Sequence, residues 1–78
     1  MPTCQFRGHR ALYSGANATE LMAAARDDSL YTEKDLQAWM DAYAHRMKMW
    51  DGSKVSTTTP DEFVLDLRRC GELRVWSD

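Results

Sequence analysis

Residues 56–76, STTTPDEFVLDLRRCGELRVW, carry the local signals for a helix followed directly by a strand. The helical part opens with residues that favour an N-cap, a first helical position and a capping box, namely Thr59, Pro60 and Glu62. Gly71 suits the left-handed residue at which a helix ends. In ELRV, charged and apolar residues then alternate, which is the period of a strand with one buried face. The segment therefore predicts a helix over about 60–70 and a strand over about 72–76.

Two further helices are predicted upstream of this segment. Asn17 and Glu20 form a capping-box pattern ahead of an alanine-rich run, which predicts a helix over about 18–28. Next, an apolar stripe at helical spacing predicts a long helix over about 33–50, capped by Thr32. The stripe consists of Leu36, Trp39, Met40, Tyr43, Met47 and Trp50.

A short strand is predicted near the N-terminus, because Cys4 and Phe6 alternate with polar residues over about 3–7. The stretch HRALYSGA that follows either extends this strand or leads into a turn. A single strand is not stable in water, so we expect the first strand to pair with the strand over 72–76. The predicted fold class is α+β, mainly helical, with three helices and a small sheet made by the two ends of the chain.

The composition indicates one small domain over residues 1–78. Apolar residues make up 44% of the chain and charged residues 28%, which suits a single packed core. No apolar run approaches the roughly 18 residues of a membrane-spanning helix, and the N-terminus lacks the apolar stretch of a signal peptide. We therefore expect a cytoplasmic protein, with no membrane partner, in which Cys4 and Cys70 are reduced and buried.

The sequence predicts no catalytic, metal or cofactor site. Zinc sites usually combine two close ligand pairs, whereas among the His and Cys residues only Cys4 and His9 are close in sequence. The four glycines are isolated, unlike those of a phosphate-binding loop. Cys70 lies near two arginines that favour a thiolate, but nothing nearby positions a base for nucleophilic catalysis. We therefore expect a protein that is not an enzyme.

Charge is distributed unevenly along the chain, which has a net charge of −2. Residues 1–26 hold three arginines and one glutamate, residues 27–66 are strongly acidic, and residues 67–78 hold three arginines and two acids. Pairing of the chain ends would gather the basic segments into one patch, with Phe6 or Trp76 as a stacking surface. This pattern supports one of two functional predictions, a small DNA- or RNA-binding regulator.

The stretch 63–75, FVLDLRRCGELRV, resembles the last helix and the entry to the wing in winged-helix domains. The resemblance is confined to this stretch, and it implies nucleic-acid binding. The sequence departs from the family pattern in two respects: no second wing strand follows, and the helix over 33–50 is longer than in the usual three-helix core.

The function that we predict first is protein binding without catalysis. The domain would occupy a surface on a larger protein partner as an inhibitor or adaptor, a role common among small phage and mobile-element proteins directed at host enzymes. Trp, Met and Arg are enriched in such interfaces. A homodimer formed through the long helix is a further possibility. The candidate partner-binding residues are Arg7, Arg10, Met49, Trp50, Arg68, Arg69, Arg74 and Trp76.

Overall fold

The computed structural model describes residues 1–28 and 35–77. Within these residues the fold has three helices and a three-stranded antiparallel sheet, which confirms the predicted mainly helical α+β class. The elements in chain order are β1 (Pro2–Phe6), β2 (Tyr13–Ser14), α1 (Ala18–Asp27), α2 (Leu36–Asp51), α3 (Pro60–Arg69) and β3 (Leu73–Ser77). None of the described helices is long and apolar enough to cross a membrane.

The sheet has the order β2-β1-β3, so the N-terminal strand lies at its centre. Phe6 pairs with Leu73 and Cys4 with Val75, which confirms the predicted pairing of the chain ends. Each strand limit lies one residue from its predicted position of about 3–7 or 72–76. Strand β1 ends at Phe6 because the chain then turns: Gly8 has a φ of 78°, and the His9 amide donates to the Phe6 carbonyl over 3.1 Å.

Strand β2 was not predicted as a separate element. It is only two residues long, which is too short to show an alternating pattern. The end of β2 lies close to α1. A Cβ added to Gly15, the residue that follows β2, would lie only 2.7 Å from the Glu20 Cβ. The absence of a side chain at Gly15 therefore allows the end of β2 to approach the first turn of α1.

Two of the three helices begin at the residue that the capping signals predict. In α1 the Asn17 side chain accepts from the Glu20 amide over 2.9 Å, and in α3 Thr59 accepts from the Glu62 amide over 3.2 Å. The C-terminus of α3 forms a Schellman motif, since the Glu72 amide donates to the Leu67 carbonyl and Gly71 is left-handed.

The predicted start of the long helix is wrong. Helix α2 begins at Leu36, and its cap is Asp35, whose carboxylate accepts from the Ala38 amide over 2.8 Å. Asp ranks above Thr as an N-cap residue, and the Asp35 carboxylate satisfies an amide of the first helical turn. The predicted cap Thr32 and helical residues 33–34 lie outside the described residues.

The core lies between the inner face of the sheet and the three helices. Phe63, Met22, Met40, Leu67 and Cys4 are its most completely buried large members. The stripe predicted on α2 holds for Trp39, Met40 and Met47, which are buried. It fails at Trp50, which is 76% exposed because it lies in the last helical turn, beyond the packed part of the helix.

The two cysteines have different environments, contrary to the prediction that both are buried. Cys4 is fully buried, and burial raises the pKa of its thiol. Cys70 is exposed, because α3 ends at Arg69 and the chain turns away at Gly71 before this face of the helix can pack again.

This difference predicts a clear contrast between two otherwise identical substitutions. Cys4→Ser places a hydroxyl in the core and should lower the free energy of unfolding by about 1–3 kcal/mol. Cys70→Ser should change it by less than about 0.5 kcal/mol. Urea denaturation measures both. With Ellman's reagent, the folded wild type should show one fast thiol, which disappears in Cys70→Ser; two fast thiols would contradict the structure.

Candidate functional site

A groove with a volume of about 410 Å³ lies on the surface of the described part of the chain. It opens between the turn after β1, strand β2, the C-terminal part of α1 and one face of α2. Trp50 and Arg10 are exposed at this groove, which brings together one predicted site residue from α2 and one from the β1–β2 connection.

The wall of the groove is aromatic. The ring centroid of Phe6 lies 5.6 Å from Tyr43, 6.5 Å from Trp39 and 6.3 Å from Tyr13. Tilted and edge-to-face rings at these separations attract one another beyond the burial of their surface. The groove wall is therefore held by the same ring contacts that hold the core.

Two tyrosine–carboxylate hydrogen bonds fix the sides of the groove. The Tyr43 hydroxyl donates to Glu72 Oε1 and the Tyr13 hydroxyl donates to Asp28 Oδ2, both over 2.8 Å. Burial and then the hydrogen bond raise the pKa of Tyr13 to about 12. The same two causes raise the pKa of Tyr43 well above its usual value near 10. Both hydroxyls therefore stay protonated at neutral pH and serve as donors.

The polar groups of the groove include two arginines and one buried indole. The Arg46 guanidinium lies 5.5 Å from the centre of the Tyr43 ring. Arg10 forms no ion pair within the described part of the chain. The indole N–H of Trp39 is buried and has no hydrogen-bond partner among the described residues. The groove thus combines apolar walls with one positive charge, that of Arg10, which has no ion-pair partner among the described residues.

The structure brings Arg7 and Arg74 to a common pocket, and it buries Phe6, one of the two predicted stacking surfaces. Arg7 and Arg74 line a second, shallower pocket of about 280 Å³ together with His9, whereas Arg10 lines the groove. Arg68 and Arg69 are exposed at the end of α3, where Arg69 pairs with Asp66 over 3.7 Å. Trp76 is 37% exposed on β3, and Met49 is 71% exposed on α2.

Several residues of the groove were predicted only as core or were not singled out. Trp39 and Tyr43 were predicted as members of the apolar stripe, and Tyr13 as a possible strand residue. Their partners lie far away in sequence, since Tyr43 bonds a carboxylate 29 residues distant and Tyr13 one 15 residues distant. Pairs at such separations leave no local signal in a single sequence.

No protein-family model matches this sequence, and the chain has no significant match among curated proteins or solved structures.

The raised pKa of Tyr43 predicts how stability changes in alkali. Above pH about 10 the unfolded chain loses the Tyr43 proton while the folded protein keeps it, so stability falls as pH rises. Tyr43→Phe lacks this group and should be less stable at neutral pH by about 1 kcal/mol. The gap in the free energy of unfolding between wild type and Tyr43→Phe should narrow above pH about 10. Urea titrations at several pH values measure it, and a constant gap would contradict the assignment.

Proposed function

We propose that this chain is a small non-enzymatic protein-binding domain that uses the groove and Trp50 to occupy a surface on a larger protein, as an inhibitor or adaptor. The observation that carries the proposal is the 76% exposure of Trp50 at the rim of the aromatic groove. An indole left in water forgoes a large burial energy, and Trp is the residue type most often found to dominate binding energy at interfaces.

The residues that line the groove indicate which side chains a partner segment would carry. Its walls are aromatic, and its volume of about 410 Å³ accommodates side chains of a docked segment. Arg10, without an ion pair among the described residues, supplies a fork of donors for a carboxylate. We therefore propose a partner segment that carries an apolar side chain beside an acidic one.

The tyrosines support binding over catalysis. Each tyrosine pKa is raised, and each hydroxyl is already committed to a carboxylate inside the protein. The two hydrogen bonds between these four groups hold the groove in shape. The proposal places the protein in the cytoplasm, where the exposed Cys70 thiol stays reduced.

The role of Trp50 can be tested by affinity capture from the source cells followed by quantitative mass spectrometry. Wild type should recover one protein in stoichiometric amount, and Trp50→Ala should recover at least tenfold less, because a central interface tryptophan contributes about 2 kcal/mol or more. Leu65→Ala is the matched control, since Leu65 is 45% exposed on α3 and is not among the residues that line the groove.

Trp50→Ala should leave the free energy of unfolding within about 0.5 kcal/mol of wild type, because the side chain is already in water. This separates loss of binding from loss of fold. Equal recovery of the partner by wild type and Trp50→Ala would refute the proposed binding face.

A further inference from the structure

The outer face of the sheet differs in chemistry from the groove. Side chains alternate along a strand, so the buried Cys4 and Phe6 of β1 point to the helices and Gln5 points away from them. The register pairs Gln5 with Arg74, which places Arg74 on the same outer face. Trp76 lies two residues farther along β3 and shares that face.

A shallow pocket lies at one end of this face, where two tight turns meet. One turn follows β1 at Gly8 and the other precedes β3 at Gly71, and both glycines have a positive φ. The Arg7 amide joins the turns by donating to the Glu72 carbonyl over 2.8 Å. The Gln5 side chain donates to the His9 carbonyl over 3.0 Å and so holds the first turn against the strand.

The side chains in this pocket are suited to an anion. Arg7, Arg74 and His9 line the same volume of about 280 Å³, and all three are exposed to solvent. Neither arginine forms an ion pair within residues 1–28 and 35–77. The positive charges of Arg7 and Arg74 repel each other. An oxyanion bound between the two guanidinium groups is attracted to both, which offsets their repulsion. The planar donor fork of arginine matches the oxygens of a phosphate group.

The neighbouring Trp76 extends this site beyond a single anion. Residues two apart on a strand are separated by about 7 Å, so the indole stands beside Arg74 on the open face. It is 37% exposed and presents an aromatic surface to solvent. Basic side chains with an aromatic platform are the combination with which proteins hold single strands, through phosphate contacts and base stacking.

We propose that the outer face of the sheet binds single-stranded nucleic acid. A phosphate group occupies the pocket between Arg7 and Arg74, and a base stacks on Trp76. Duplex is disfavoured, because its bases are already stacked on one another and cannot reach the indole. The pocket adjoins the groove used for protein binding and shares Phe6 and His9 with it, but Arg7, Arg74 and Trp76 are not among the residues that line the groove.

The test measures fluorescence anisotropy of fluorescein-labelled 12-mers of deoxythymidine and of uridine, titrated with the full chain at about 50–200 mM NaCl. Arg7→Ala and Arg74→Ala should each weaken binding at least fivefold at the lowest salt. Each should also lower the slope of log affinity against log salt by about 0.7, the value for one lost phosphate contact on a single strand. Trp76→Ala should weaken binding at least fivefold with an unchanged salt slope, because stacking releases no counterion.

Three control variants give the experiment its specificity. Lys54→Ala removes an exposed positive charge from the connection between α2 and α3 and should change affinity less than twofold. Arg74→Lys keeps the charge but loses the donor fork, so it should retain the salt slope while binding more weakly than wild type. Trp50→Ala should bind the 12-mers normally, which separates this site from the groove. Circular dichroism melting confirms that each variant is folded.

The proposal is overturned if neither 12-mer binds at 50 mM NaCl, or if Lys54→Ala weakens binding as much as Arg74→Ala does. It is also overturned if a labelled oligoglutamate of the same length binds as tightly and responds to the same arginine variants. That result would identify a general site for acidic peptides.

Discussion

The pairing of β1 with β3 is the contact on which the rest of the structure depends. Strand β1 is central, and its other neighbour, β2, is only two residues long, so without β3 the sheet would reduce to a marginal hairpin. The pairing joins residues near positions 6 and 73 and therefore closes a long loop, which costs conformational entropy. The buried side chains of Cys4, Phe6 and Leu73 offset this cost by forming the floor on which the helices pack.

Glu72 is the residue at which this pairing is connected to the helices. Its amide donates to the Leu67 carbonyl and closes α3, while its own carbonyl accepts from the Arg7 amide at the end of β1. Its carboxylate accepts from the Tyr43 hydroxyl of α2. The side chain of Glu72 lines the groove, and its backbone carbonyl joins the two turns that form the basic pocket. Both proposed binding sites thus depend on the same few hydrogen bonds.

The sequence predicts those parts of the fold that are controlled by neighbouring residues. The caps at Asn17 and Thr59 and the helix end at Gly71 are each satisfied within five residues, and they occur as expected. Of the features that depend on distant residues, the pairing of β1 with β3 occurs as predicted, whereas burial at the C-terminal ends of α2 and α3 does not. Trp50 continues the helical stripe in sequence but is 76% exposed, and Cys70 follows the buried face of α3 at the point where the chain turns away.

The spatial arrangement of the charged side chains explains why the candidate sites could be predicted from the sequence only in part. The sequence identifies the candidate arginines, but a net charge of −2 for the whole chain gives no indication of a basic site. Net charge averages over the whole chain, whereas the field at a pocket is set by charges within about 10 Å in physiological salt. Asp66 partners Arg69, while Arg7 and Arg74 converge without a carboxylate among the described residues that line their pocket. The fold therefore determines which arginines can bind a ligand, and this cannot be predicted from the composition of the chain.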